Sequence, residues 1–155
     1  VYIRLFRKNA WSIFGESDSF TLGNGCLLRQ GSEVTLFASG IMVKEALEAA
    51  EQLAGQGISA EVINLHTIKP LDSELVLASV TKTGCCVTAE NANIIGGLGS
   101  AVSECVSGGA PCPVLRVGVE DRFGEVGKMD YLQKELHLTA ANIVQKAKEA
   151  VALKR

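Results

Sequence analysis

The sequence predicts an α/β fold: a three-layer open sheet of five strands, four parallel and one antiparallel at an edge, with helices on both faces. Three observations carry this. Strand-like and helix-like stretches alternate from Cys26 to Leu153, at spacings that demand parallel pairing and right-handed crossovers. The run Cys85–Ala89 is short, small and β-branched, the composition of a strand buried on both faces. In Met42–Leu53, residues Val43, Ala46, Leu47, Ala50 and Leu53 recur at helical spacing.

Taken in order, Val1–Phe14 reads as the tail of a preceding domain, strand-like over Val1–Leu5 and then basic. Gly15–Asn24 is rich in Ser, Gly and Asp and reads as a linker, leaving residues 25–155 as the domain proper. A start at Val1 rather than Met fits a piece of a longer polypeptide. Cys26–Arg29 is a short strand, and Gln30-Gly31-Ser32 makes a turn tight enough for a hairpin into Glu33–Ala38. Ser39-Gly40 turns the chain into the Met42–Leu53 helix, which Gly55 and Gly57 end. Ala60–Leu65 is the next strand. Pro70 excludes helix before Leu71, so Asp72 is placed to cap Ser73–Thr81, with Glu74 favourable in its first turn. After Gly84 the Cys85–Ala89 strand ends at Glu90, a loop spans Asn91–Ile95, and Ser100 starts a short helix. Val114–Val119 is the last strand, Glu120–Lys128 a polar loop, Met129–Leu136 a short helix, and Thr139 caps Ala140–Leu153.

Composition bounds the function. With 47% hydrophobic and 21% charged residues over 155 positions, the chain is an ordinary globular domain. A net charge of -2 argues against nucleic acid or anionic lipid as the main partner, and no apolar run approaches the ~20 residues of a membrane span. Five cysteines, two of them adjacent at Cys85 and Cys86, suit reduced packing residues in a cytoplasm better than disulfides or a metal knuckle.

The most pointed stretch is Gly96-Gly97-Leu98-Gly99-Ser100. Its glycines permit close backbone approach, and a helix start there directs free N–H groups and partial positive charge outward. Gly97-x-Gly99 with Glu120 downstream imitates a dinucleotide fingerprint, but Asn91–Ile95 separate it from the strand and no glycine stands at Val102. Close packing of helix on sheet, or docking of another domain, is the better reading. His66 and Glu90 both end strands, where open α/β sheets keep their ligand sites. His66, Glu90, Gly96, Gly97, Gly99 and Ser100 therefore form the candidate interface or anion-docking face. Glu90 is open to three readings: a buried interface carboxylate, an ion relay or a solvated residue. Asp121-Arg122 reads as a local ion pair, and His137 as a packing or capping residue. Ser32, Ser39 and Ser100 lack a nucleophile elbow, and there is no P-loop. No catalytic, cofactor or metal constellation assembles from these residues.

Several motifs then occur together and in order: Val34–Gly40 (VTLFASG), Thr67–Asp72 (TIKPLD), Gly96–Val102 (GGLGSAV), Gly118–Gly127 (GVEDRFGEVG) and Leu138-Thr139. In this the chain resembles the C-terminal domain of the transketolase family of thiamine-diphosphate enzymes. Val1–Arg4 (VYIR) is similar to the last strand of the pyrimidine-binding domain that precedes it. The resemblance implies a third domain without catalytic residues or cofactor ligands. It implies that thiamine diphosphate and magnesium are held by the other domains or subunit across a homodimer interface. The parent reaction would move a two-carbon ketol unit between sugar phosphates. Related sequences often carry His two residues after the Glu90 position, where this chain has Ala92. A deoxyxylulose-phosphate synthase, or the beta subunit of a 2-oxo-acid dehydrogenase, would carry a similar last domain. A small-ligand allosteric sensor working through the strand-end crevice is the alternative from another class.

Overall fold

The sheet is ordered β1-β3-β2-β4-β5, with β1 Cys26–Arg29, β2 Val34–Ala38, β3 Ala60–Asn64, β4 Cys86–Asn93 and β5 Val114–Val119. The computed structural model describes residues 1–7, 10–16 and 18–154; positions 8–9 of the expected tail and 17 of the expected linker lie outside the described residues. β2 is buried at all five positions. A strand apolar on both faces belongs at the centre, and β2 pairs in parallel with β3 (Val34↔Ala60) and with β4 (Thr35↔Cys86). β5 continues the parallel set beside β4.

Four parallel strands and one antiparallel edge strand agree with the expectation; the route to the edge does not. A β1–β2 hairpin was expected, yet β1 pairs antiparallel with β3 (Cys26↔Asn64, Leu27↔Ile63). The reason lies in the connection. The Ser32 and Glu33 amides both donate to the Ser59 carbonyl, and the Ser59 amide donates to Glu33 Oε2 at 2.7 Å. Residues 30–33 thus cross the end of β3 instead of folding back on β1. Gly31 allows the crossing, since a Cβ there would lie 2.1 Å from the Ala60 carbonyl carbon.

Helices cover both faces. On one, α1 Met42–Ala54 and α5 Ala140–Ala152 bury Ala46, Ala50, Leu53, Ile143 and Ala147 against Leu36, Val62 and Val87. On the other, α2 Ser73–Thr83 and α3 Leu98–Gly109 bury Val76, Val80, Leu98, Val102 and Val106 against Phe37, Ile63 and Cys86. α4, Met129–Glu135, is short and buries no residue fully. Asp72 caps α2 as expected: Oδ1 accepts from the Leu75 amide at 3.1 Å, while Oδ2 accepts from the Gly25 amide at 2.8 Å and ties down the entry to β1. Thr139 caps α5 through the Asn142 amide, and Glu45 of α1 accepts from the Ala140 amide at 2.8 Å.

Several boundaries differ from expectation, among them the end of α2 at Thr83 and the start of β4 at Cys86. β3 stops at Asn64, and Val1–Leu5 forms no strand. β4 does not end at Glu90 but runs to Asn93, because Asn93 still pairs with Val119. α3 starts at Leu98, two residues before Ser100, because a buried side chain holds its first amides.

Candidate functional site

The carboxyl ends of the parallel strands gather most of the residues singled out above. β2 leads through α1 to β3 on one side, while β4 leads through α3 to β5 on the other. The crevice of such a sheet opens between β2 and β4, where the connections diverge.

Glu90 stands at this switch point, 2% exposed. Its Oε2 accepts from the Leu98 amide at 2.9 Å, and its Oε1 accepts from the Gly99 amide at 2.8 Å. Of the three readings left open for Glu90, the geometry supports a buried carboxylate. Its partners, however, are the chain's own. The helix start therefore does not present free N–H groups outward at Leu98 and Gly99: an internal charge-assisted cap has taken them. Gly97 makes room for it, since a Cβ there would sit 2.0 Å from Glu90 Oε2. Gly99 is buried over Thr88 and Arg116. Gly96 is exposed, and its amide donates to Ser100 Oγ at 2.9 Å. The glycine run is thus divided: Gly97 and Gly99 face inward, Gly96 and Ser100 toward the rim.

His66 is half-buried just past β3 and lies apart from this cap. Its Nδ1 bonds Thr67 Oγ1 at 2.9 Å, while its Nε2 is shut from solvent without a partner. Phe20 lies edge-on to the ring at 5.3 Å and Phe14 edge-on to Phe20 at 4.6 Å. Sequence reasoning passed over these aromatics because they sit in a stretch that reads as linker. It also missed Arg4, whose Nη2 donates to the Asn91 carbonyl at 2.9 Å, and Lys44, whose Nζ sits 4.1 Å from the Trp11 ring centroid. Apart from Phe14 with Phe20, these contacts join residues more than 30 positions apart and leave no local signal.

Further along the rim, Asp121 and Arg122 do not pair with each other. Arg122 pairs with Glu125 and lies 3.6 Å from Glu135, while Asp121 accepts from Asn93 Nδ2 at 3.4 Å. His137 is exposed and does not pack inside; its left-handed backbone (φ 57) caps α4, with the His137 amide donating to the Lys134 carbonyl at 3.1 Å and the Leu138 amide to the Gln133 carbonyl at 2.7 Å, as the capping half of its reading expects. All five cysteines are free. Burial pushes the Cys85 thiol up to about 11. The Cys86 thiol is raised by its hydrogen bond with Cys112 and by burial, and the same bond lowers Cys112.

These residues do not fit a diphosphate or its magnesium. A phosphate brought to the α3 entrance would meet the Glu90 carboxylate on the same amides, like charge against like. Among the described residues no group of three or more His, Cys, Asp or Glu side chains could hold a metal ion. No described helix is long and apolar enough to cross a membrane.

Comparison with known proteins agrees with this architecture. Residues 23–143 match the family profile "Transketolase, C-terminal domain". The chain is 59% identical over 154 residues to a 6-deoxy-6-sulfo-D-fructose transketolase subunit of Clostridium sp. (strain MSTE9), covering 99% of this chain and 48% of that protein. It is 40% identical over 152 residues to a putative transketolase C-terminal section of Methanocaldococcus jannaschii (96% and 47% covered). It is 42% identical over 135 residues to a 1-deoxy-D-xylulose-5-phosphate synthase of Heliobacterium modesticaldum (86% and 21% covered). A solved chain described as "Split gene transketolase, inactive beta4 tetramer" superposes with a TM-score of 0.93 at 43% identity, over 96% of this chain and 49% of that one. The chain spans about half the length of the transketolase relatives it matches, and about a fifth of the synthase. By fold, motif order and sequence, this chain belongs to the transketolase C-terminal domain family.

Proposed function

We propose that the chain is the non-catalytic third domain of a transketolase, and that it docks by its carboxyl-end rim onto the thiamine-diphosphate-binding part of the enzyme. One observation carries this reading. Each of the connections after β3, β4 and β5 carries an exposed large apolar side chain: Ile68 after β3, Ile95 after β4, and Phe123 and Val126 after β5. Phe123 is 97% exposed, in a loop that is otherwise polar or glycine apart from the equally bare Val126. Bare aromatic and aliphatic groups gathered on one edge are the mark of a protein interface. Gly96, Ser100 and His66 sit among them, which keeps the docking assignment for these three. Glu90, Gly97 and Gly99 act behind the surface by fixing the α3 entrance. Catalysis, thiamine diphosphate and magnesium belong to the partner region. The domain contributes to assembly of the dimer and to the shape of the approach to its active site.

The test is the double variant Phe123→Asp/Val126→Asp in the complete enzyme. Assembly measured by analytical ultracentrifugation should weaken at least about tenfold, as expected when interface anchors are lost, with the domain still folded by circular dichroism. Unchanged assembly would reject the docking face.

The reaction is ketol transfer, and the 59% identity to a subunit named for a sulfonated ketose favours 6-deoxy-6-sulfofructose as donor. Assay of the complete enzyme with that sugar, with xylulose 5-phosphate and with pyruvate separates this reading from ordinary transketolase and from deoxyxylulose-phosphate synthase.

A further inference from the structure

We propose that the aromatic stretch Trp11–Phe14, together with Phe20, is a reversible clip that this domain holds across its own switch-point crevice, so that the segment leading into the domain is a jointed strap and not a free linker. The inference stands apart from the partner reading, because every contact it uses lies within the chain. Four contacts place the clip. Ile13 packs against the core cluster of the α1 and α5 face. Trp11 lies over the Lys44 ammonium at the start of α1. Phe14 meets Phe20, and Phe20 meets His66 at the end of β3. A turn brings the two phenylalanines together: the Gly15 amide donates to Asp18 Oδ2 at 2.7 Å, and the Asp18 amide donates back to the Gly15 carbonyl at 3.2 Å.

The strap therefore spans from the β2–α1 turn to the end of β3, with Arg4 on the Asn91 carbonyl at the end of β4. It covers the place where an open α/β sheet would otherwise admit a small ligand. The cleft left beneath it, lined by Phe6, Trp11, Ile13, Gly40, Ile41 and Lys44, is about 110 Å³, too small for the ~300 Å³ and above of a usual small-molecule site.

The clip is poised rather than locked. Trp11 remains 72% exposed and Phe20 50% exposed, so each buries only part of its ring. His66 Nε2 is shut from solvent without a partner while Phe20 stands edge-on to the ring, so the closed clip carries the cost of one unsatisfied polar atom. Few buried contacts and an unsatisfied polar atom describe a segment that opens before the rest of the fold.

With two histidines among these 155 residues, proton NMR of the chain reads the test cleanly. The imidazole C–H resonances of His66 and His137 are assigned with His66→Gln. Phe20→Leu removes the ring beside His66 and should move its resonance while His137 stays in place. Ile13→Ala is the decisive variant: Ile13 packs on the α1 and α5 face and His66 ends β3, so a shift of the His66 signal requires the strap to act as one unit. Chymotryptic cleavage after Trp11 and Phe14 should also rise about tenfold in the Ile13→Ala/Phe20→Leu variant, because cleavage follows the open population. A His66 resonance that is the same in Ile13→Ala and wild type, or cleavage equally fast in both proteins, overturns the clip.

Discussion

Glu90 loses nearly all its contact with water on folding and receives two backbone donors in exchange. A buried carboxylate so held is a structural group with a large penalty for removal. Glu90→Ala strands the Leu98 and Gly99 amides and should cost about 2–3 kcal/mol in urea unfolding, the range for charge-assisted hydrogen bonds and lost caps. Glu90→Gln, which keeps an acceptor, should cost less. A loss below ~0.5 kcal/mol for the alanine variant would mean that water replaces the cap. The sequence showed a carboxylate at a strand end, eight residues before the Leu98 amide. It could not show that the chain folds back over those residues, and so the amides looked free. Cys85 makes a second prediction at this scale. Its thiol holds a proton up to about 11 in the fold, against an ordinary 9.0, and burial is the main cause. Between those values the unfolded chain has already released the proton and binds fewer than the native state, so stability falls as pH rises from about 9 to about 11. Urea midpoints across that window should drop more steeply in wild type than in Cys85→Ala; parallel slopes would contradict the assignment.

Among the elements, the helices were the more legible. The stripes of α1 and α5, the Asp72 and Thr139 caps and the Gly55 stop are written in residues within a few positions of each other, and each appears in the structure. β1 shows where local reading ends. A hairpin is the expected outcome for two short strands about a Gly-containing turn, but β2 is apolar on both faces and takes parallel neighbours on both sides. β1 is left with the outer edge of β3. Gly31 is the residue on which that crossing depends, because a methyl there would press on the Ala60–Glu61 backbone. Gly31→Ala should destabilise by about 2–3 kcal/mol through overpacking. Amide exchange should quicken first in Cys26–Arg29 and leave β2 and β4 protected. Uniform quickening across the sheet would show that β1 is not a separable edge.

At the scale of the whole molecule, polarity is distributed by end. The amino-end side of the sheet carries an internal polar network, in which Glu61 pairs with Lys82 and Thr35 Oγ1 bonds Thr83 Oγ1 at 2.8 Å. The carboxyl-end rim carries bare apolar groups and the aromatic strap. Motif order alone made the family legible: TIKPLD leads to the cap of α2, and GGLGSAV spans the turn into α3 and its first residues. The rim was not legible as a surface, because Ile68, Ile95 and Phe123 stand far apart in the chain and meet only once the strands align. The glycine-lined entrance of α3 is closed by the protein itself, and on the proposed reading the domain meets protein, not cofactor. Isothermal titration of the chain with thiamine diphosphate and magnesium tests it most directly. No saturable heat is expected; a one-to-one isotherm with micromolar affinity would show that the entrance admits the cofactor.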